Sequence, residues 1–334
     1  MSQLRDTCPQ CDRSIIDSRF DATFRDNTRL SEAEASAALR DYDAIIPTLG
    51  DAFTAAAFAD APRCRILANF GAGFNHIDVK AAKAAGVVVT NTPDVVTDAT
   101  ADIAVMLMLM TTRRASEGER ILRAGDWTGW NPTQLLGGHL SGRTVGIVGM
   151  GRIGQGIAKR ASGFDMRVLY HNRSRLPADI ERSCKAEYVD FDTLFAEADH
   201  LVLVLPYSAA THHIVDAAAL AKMQPTATLT NIARGGIVDE AALADALERG
   251  RLASAALDVF EGEPAVNPRL LALDTIVLTP HIASGSLATR RAMVALAVDN
   301  LIAALGAGPD AGRPPTPIRP AAIDGKDAKR PGTA

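Results

Sequence analysis

The sequence has no apolar run long enough to cross a bilayer. Its longest, Ile103–Met110, falls far short of the ~20 residues such a span needs, and Asp102 and Arg113-Arg114 flank it. Met1–Asp12 lacks the apolar stretch of a secretory signal. The cytoplasm is therefore the expected compartment, with no membrane partner. Strong charge of one sign is also missing: the formal net charge is −4, which leaves no basic footprint for nucleic acid. Cysteine is scarce. Of four cysteines, Cys8 and Cys11 have C-x-x-C spacing, whereas Cys64 and Cys184 stand alone. A closed zinc site needs four ligands, and a redox C-x-x-C should follow a strand, which residues 1–7 do not read as. The pair is read as incidental. His76, His139, His171, His212 and His213 show no convincing metal spacing. They are read as surface or locally bonded residues, and no metal is expected.

What is present is the balance of a globular protein, 47% hydrophobic and 22% charged. At roughly 100–200 residues per domain, 334 residues suggest two domains. No internal repeat is apparent. Ala44–Pro47, Arg65–Asn69 and Val87–Thr90 read as short buried strands, and Asp78–Ala85 as a helix stopped by Gly86. Thr97–Glu119 reads as one long helix, apolar on every side in its middle and hence buried. A boundary near residue 98 follows. Gly125–Gly142 is a loop rich in Gly and Trp. Beyond it, strands are expected at Thr144–Gly149, Arg167–His171, Leu201–Leu205, Ala227–Ile232, Ala255–Val259 and Ile276–Thr279. Helical stretches separate most of them, which argues for a parallel sheet covered on both faces. Leu287–Leu305 is a last helix. Gly306–Ala334, rich in Pro, Gly, Ala and charge, is expected to be extended or disordered.

Gly149-Met-Gly151-Arg-Ile-Gly154 fits G-x-G-x-x-G in the right context, between an apolar strand and a helix, Ile153–Ala161. Gly149 permits the tight turn, Gly151 lets backbone approach a pyrophosphate, and Gly154 lets helix and strand pack closely. The helix N-terminus then faces the phosphate charge. An NAD-specific site carries an acid about 20 residues further on, for the ribose 2′-hydroxyl. Here the second strand ends in His171-Asn172-Arg173-Ser174-Arg175, with no acid. Arg173 and Arg175 could clamp a 2′-phosphate by charge-assisted hydrogen bonds. NADPH is the expected preference, with NADH possible.

Three late segments carry polar chemistry at the carboxyl ends of strands: Asn231-Ile-Ala-Arg234-Gly-Gly, Asp258-Val-Phe-Glu-Gly-Glu263-Pro and Pro280-His281-Ile-Ala-Ser-Gly. Ligands of doubly wound sheets bind outside those ends. Upstream, Asn69-Phe-Gly71-Ala72-Gly73-Phe74 has glycines that can free backbone N–H groups for a carboxylate. Taken singly, each has a plainer reading: a surface cation, a turn residue, a helix cap, a strand-to-helix turn. Taken together, with the Gly loop and Thr100-Ala-Asp102, they resemble the D-isomer-specific 2-hydroxyacid dehydrogenase family. Within it, Gly125-Asp-Trp-Thr-Gly-Trp130-Asn-Pro and Asn172-Arg-Ser-Arg175 resemble the glyoxylate/hydroxypyruvate reductase branch. The resemblance runs from about Phe20 to Leu305.

The resemblance implies the roles. Arg234 would hold the substrate carboxylate and polarise its keto oxygen, which suits a planar, always-charged guanidinium. His281 would protonate that oxygen as hydride arrives, and Glu263 would orient the imidazole and favour its charged form. Ala72 and Gly73 would bind the substrate carboxylate. Thr100 would stand by the cofactor phosphates or nicotinamide, Asp258 and Ile232 by the carboxamide, and Leu205-Pro206 by the adenine. Arg152, Ile153, Asn172, Ser174, Thr211, Ala233 and Ser284 complete the implied cofactor contacts. Trp130 would reach the partner's active site in a homodimer and limit substrate size.

The expected fold is α/β with two domains. A Rossmann-type doubly wound parallel sheet, 99–286, is inserted into a smaller flavodoxin-like substrate domain, 1–98 and 287–334, with a cleft between them. The implied reaction is NAD(P)H-dependent reduction of small 2-keto acids. Alternatives are another family member, such as a 3-phosphoglycerate dehydrogenase, and a dinucleotide-sensing module resembling the related corepressors. The missing acid after the second strand and the lack of a regulatory domain after Leu305 argue against the former. Turnover separates the latter. One departure stands out: family members open on an apolar strand, whereas Met1–Ser14 is polar.

Overall fold

The computed structural model describes residues 16–25 and 29–318. Cys8, Cys11 and the polar opening segment lie outside the described residues. Cys64 and Cys184 are buried free thiols. The chain forms two compact units: Thr97–Ser284 is one, and the residues before it join those from Gly285 onward in the other.

The smaller unit begins with α1, Glu32–Asp41. A capping box starts it: Ser31 accepts from the Glu34 amide while the Glu34 carboxylate accepts from the Ser31 amide. Strands β1 (Ala44–Ile45), β2 (Ile66–Ala68) and β3 (Val88–Thr90) pair in parallel in that order. Helix α2, Val79–Ala84, is capped by Asp78 and stopped at Gly86, whose φ of 77° needs no Cβ strain.

The larger unit contains α3 (Thr97–Thr112), α4 (Ala115–Ala124), β4 (Thr144–Val148), α5 (Arg152–Ala161), β5 (Arg167–His171), α6 (Ala178–Cys184), β6 (Ala186–Tyr188), α7 (Phe191–Glu197), β7 (His200–Leu203), α8 (Ala217–Leu220), β8 (Thr228–Asn231), α9 (Glu240–Glu248), β9 (Ser254–Leu257), α10 (Pro268–Leu271) and β10 (Ile276–Leu278). Its seven strands run parallel in the order β10-β9-β8-β7-β4-β5-β6. This is a doubly wound sheet, whose order reverses between β4 and β7. Ala101, Ala104, Leu107, Met108, Ile157 and Ala158 from α3 and α5 cover one face. Leu194, Phe195, Leu220, Leu243 and Leu247 from α7, α8 and α9 cover the other. The near-continuous apolar strands follow from burial on both sides. The short edge strand β6, Ala-Glu-Tyr, carries no apolar run and was not foreseen.

The single helix expected over Thr97–Glu119 is two. Arg114 takes a left-handed φ of 53° between α3 and α4. The 125–142 loop explains the break. The Gly138 N–H takes the Thr112 carbonyl (3.0 Å), and a Cβ on Gly137 would lie 2.3 Å from that same oxygen. The carbonyl that would continue the helix is thus spent on the loop.

The last helix, α11 (Leu287–Ala304), returns to the smaller unit. Met293, Val294, Ala297 and Leu301 pack with Ile46, Ile66, Ala68 and Phe70. The segment after it, expected to be extended or disordered, is tied down as far as it is described. The Thr316 hydroxyl donates to Asn91 O (2.6 Å), and the Ile318 N–H donates to Val89 O (2.8 Å), covering the open edge of β3.

Candidate active site

The Gly loop follows β4, at the point where the strand order reverses. Each glycine has its own reason. Gly149 has a φ of 104°, and a Cβ there would lie 2.7 Å from Val204 O. A Cβ on Gly154 would lie 2.4 Å from Gly149 O. Gly151 faces open space at the start of α5, exposed beside Arg152 and the half-buried Ile153. An open approach to helix N–H groups is what a pyrophosphate requires, so the loop fits a dinucleotide. Asn172 anchors it, its Oδ1 accepting from the Met150 N–H at 2.6 Å.

The basic turn after β5 divides. Arg173 and Ser174 are exposed, and Arg173 meets no carboxylate among the described residues. Arg175 is committed instead: its Nε and Nη2 donate to the two oxygens of Glu181 at 2.8 and 2.9 Å. Glu181 also accepts from Tyr170 Oη (2.7 Å), and the Arg175 and Tyr170 bonds hold its carboxyl below the usual range. In the sequence both arginines are candidates to clamp a 2′-phosphate. The structure gives Arg175 an internal counter-charge.

The trio lies on three consecutive strand ends of the larger unit. Arg234 follows β8. Gly235 next to it is pressed against the chain at Phe260, where a Cβ would lie 1.9 Å from the carbonyl carbon. Only glycine lets this backbone pass so close to the turn that carries Glu263. Glu263 Oε1 accepts from the Phe260 N–H (2.9 Å), and its Oε2 accepts from His281 Nδ1–H (2.9 Å). Among the described residues His281 Nε2 has no partner. Burial pushes the Glu263 carboxyl up, but the His281 bond and charge, the Phe260 amide and the Arg234 charge outweigh it. The net shift is downward, and Glu263 is ionised at neutral pH. Burial lowers the Arg234 pKa, partly offset by Glu263. A guanidinium stays charged there nonetheless. Arg234 Nη1 donates to Ala233 O at 2.6 Å, which fixes the side chain's direction.

Two buried carboxylates, Asp258 and Glu240, brace the loops that carry His281 and Glu263. Asp258, expected at the nicotinamide, is fully buried. It accepts from Thr279 Oγ1 (2.6 Å) and from the Ile282 (2.8 Å) and Ala283 (2.9 Å) amides, holding the turn in which His281 adopts a φ of 54°. Glu240, in the first turn of α9, accepts from the Glu261 N–H at 2.6 Å and so steadies the loop of Glu263. Burial raises its pKa, helped by the charges of Glu261 and Glu263.

In the smaller unit, the carbonyls of the glycine segment are all taken. Asn69 Nδ2 donates to Gly71 O and Gly73 O (3.0 Å each), and Asn91 Nδ2 to Ala72 O (2.7 Å). The Ala72 and Gly73 N–H groups meet no acceptor among the described residues. That is the polarity of an anion-binding nest.

The other expected contacts are dispersed as follows. Thr100, Ile232 and Ala233 are buried, and Ser284 is half-buried. Leu205 is half-buried and Pro206 exposed, with the Thr211 hydroxyl donating to Pro206 O (3.0 Å). Trp130 is 83% exposed on the 125–142 loop. The fold brings together His212, His213 and Glu261, whose ligand atoms lie within 4.8 Å of one another. His213 Nε2 is spent on Glu261 (2.9 Å), and His212 Nδ1 on Gly236 O (3.1 Å) and Tyr207. A separate cavity of about 580 Å³, lined by Thr112, His139, Arg143, His200, Thr228 and Ser254, opens at the amino ends of the strands. That is the end opposite the Gly loop and trio.

A family model, the D-isomer-specific 2-hydroxyacid dehydrogenase NAD-binding domain, matches residues 105–283. Curated relatives include a glyoxylate reductase of Thermococcus onnurineus, 45% identical over 284 residues, covering 84% of this chain and 85% of that one. Another, from Korarchaeum cryptofilum, is 41% identical over 298 residues, covering 88% and 90%. Among solved structures, a glyoxylate reductase from Paecilomyes thermophila aligns with a TM-score of 0.81 at 35% identity, covering 92% of this chain and 94% of that one. An NADPH-dependent glyoxylate/hydroxypyruvate reductase from Sinorhizobium meliloti, in complex with NADP and malonate, aligns at 0.78 and 38% identity, covering 88% and 89%.

Proposed function

The chain belongs to the D-isomer-specific 2-hydroxyacid dehydrogenase family, and from that premise we propose that it reduces small 2-keto acids. It is an NAD(P)-dependent oxidoreductase. The proposed reactions are glyoxylate to glycolate and hydroxypyruvate to D-glycerate, with NADPH preferred and NADH usable. One observation carries this reading: an imidazole held at Nδ1 by an ionised glutamate, with no partner at Nε2 among the described residues, and an arginine whose charge acts on that glutamate.

When bound, the nicotinamide supplies hydride to C2 of the keto acid. Everything else falls to the chain. Arg234 holds the substrate carboxylate by paired hydrogen bonds and draws electron density from the keto oxygen. In the smaller unit, the Ala72 and Gly73 amides are proposed as carboxylate donors. His281 gives its Nε2 proton to the keto oxygen as charge develops there. Glu263, ionised, accepts from Nδ1–H and so holds the imidazole in one orientation before and after transfer. A proton from solvent restores the acid form.

For the cofactor, the missing acid and the exposed Arg173 support a 2′-phosphate contact. Arg175 is proposed to shape the turn through Glu181 and contribute less charge. A homodimer is also proposed. Leu122 (61% exposed), Trp127 (52%), Trp130 (83%) and Leu136 (66%) stand together in sequence on α4 and the loop after it. Trp130 would bound the partner's substrate site.

The test is initial-rate measurement with NADPH and with NADH across glyoxylate, hydroxypyruvate, pyruvate and phenylpyruvate. The proposal expects glyoxylate and hydroxypyruvate to have the highest kcat/KM, with NADPH favoured. Tight NADPH binding without turnover on any of them would instead indicate a dinucleotide sensor.

A further inference from the structure

Among the described residues, the smaller unit contains a cation with no counter-charge. Arg290 stands in the first turns of α11, its guanidinium carbon 5.6 Å from the centroid of the Phe70 ring. It is half-buried, and no carboxylate, carbonyl or hydroxyl accepts from its guanidinium among the described residues. Other well-placed arginines are paired: Arg63 with Asp43, Arg160 with Asp98 and Asp102, Arg269 with Asp245 and Glu248. Burial lowers the Arg290 pKa, and nothing raises it back. An uncompensated, half-buried cation is costly, and an aromatic face offsets only part of that cost. Its place near a helix start adds to the cost, because the macrodipole there favours anions.

Its position suggests what completes it. One and two turns further along the same face, Met293, Val294 and Ala297 pack in the cluster that includes Phe70 and borders Ala72. Phe70 leads directly into Gly71–Gly73, whose carbonyls are tied and whose Ala72 and Gly73 amides are unspent. A positive charge thus stands over Phe70, the residue that leads in sequence into two amide donors with no acceptor among the described residues. We propose that Arg290 is a further binding and specificity residue, a cationic contact for the carboxylate of the short 2-keto acid held by the Ala72 and Gly73 amides.

This rests on the reading of the protein as a keto-acid reductase, so its test includes a readout independent of turnover. Arg290→Met keeps an apolar stalk over Phe70 and removes the charge, while Arg290→Lys keeps a charge. Measured quantities are KM and kcat for glyoxylate, KM for NADPH, the thermal midpoint, and binding of oxalate, a non-reducible dicarboxylate, by calorimetry. Arg290→Met is expected to raise KM for glyoxylate and weaken oxalate binding by about 10-fold or more, the worth of one charged hydrogen bond. The kcat should fall far less than KM rises, and KM for NADPH should stay as in the wild type. Arg290→Lys should recover part of the loss. If Arg290→Met does not fold, guanidinium ion added to Arg290→Ala should lower KM for glyoxylate. Wild-type KM and oxalate affinity in folded Arg290→Met, or no rescue of folded Arg290→Ala, overturns the assignment of Arg290. A wild-type protein that neither reduces a 2-keto acid nor binds oxalate overturns the underlying reading instead.

Discussion

Glu263→Gln is the most informative single change, because it alters charge with almost no change in shape. The carboxylate makes two bonds, one from the Phe260 N–H and one from His281 Nδ1–H, both 2.9 Å. The two side chains are only 28% and 21% exposed, so water screens the pair weakly. A hydrogen bond to a charged group at such a site contributes about 1.5–3 kcal/mol. At 1.36 kcal/mol per tenfold, its loss corresponds to about 10- to 150-fold in kcat/KM. A second effect adds to this. Gln has one acceptor oxygen. If that oxygen keeps the Phe260 N–H, the amide NH₂ faces His281 Nδ1 and demands a lone pair there. The imidazolium cannot provide one, so the acid is disfavoured. General acid catalysis is worth about 10²–10⁴, and a substantial part of it should vanish with the charge. The expected total is a loss of about 100- to 1,000-fold in kcat/KM for glyoxylate. Initial rates of NADPH oxidation, with NADPH binding followed separately by fluorescence, provide the assay. NADPH affinity should be unaltered. A variant within about threefold of wild type, roughly 0.6 kcal/mol, would refute the reasoning.

Other predictions follow from the same geometry. Arg173→Ala should raise KM for NADPH about 10-fold and leave NADH unchanged, whereas Arg175→Ala should have a smaller effect on NADPH; steady-state kinetics with both cofactors checks this, and equal effects on NADPH and NADH would defeat the phosphate contact. Glu240 has its pKa raised by burial, so the stability it contributes is present at low pH and is lost as pH rises through its folded pKa. The thermal midpoint of Glu240→Gln, relative to wild type, should therefore climb as pH rises from about 4 to 7, and a difference that shrinks over that range would contradict the assignment. Gly235→Ala should abolish activity or folding, since its methyl would overlap the Phe260 carbonyl; a well-folded, active variant by circular dichroism and rate would show that the backbone can yield there.

The parts of this site that were legible in the sequence are those where one residue type alone satisfies a backbone or chemical demand. Gly149 and Gly154 would each place a Cβ within 2.7 Å of a carbonyl oxygen, and that constraint surfaces as a spaced glycine pattern. The strands of the larger sheet were legible because burial on both faces leaves apolar runs, as in Leu201–Leu203 and Ala255–Leu257. Arg234, Glu263 and His281 drew notice through residue type and the family resemblance, and the fold joins two of them, Glu263 and His281, in one hydrogen bond. What stayed hidden depends on which neighbour the fold supplies. Nothing in Arg173-Ser174-Arg175 says that Glu181 on α6 will claim only the second arginine. Nothing around Asp258 says that its carboxylate will be fully enclosed by the turn of His281. The break at Arg114 is set by Gly137 and Gly138 from another loop, and no signal in Thr97–Glu119 marks it. That Arg290 stands over Phe70 with no acceptor among the described residues is visible only in the fold.

The proposed mechanism requires a proton to pass from His281 to the keto oxygen. The direct measurement is kcat/KM for glyoxylate with NADPH in His281→Ala, with NADPH affinity and thermal midpoint as controls. The expected result is a loss of about 100-fold or more with both controls unchanged. Turnover at the wild-type rate in a folded, NADPH-binding His281→Ala protein would contradict it.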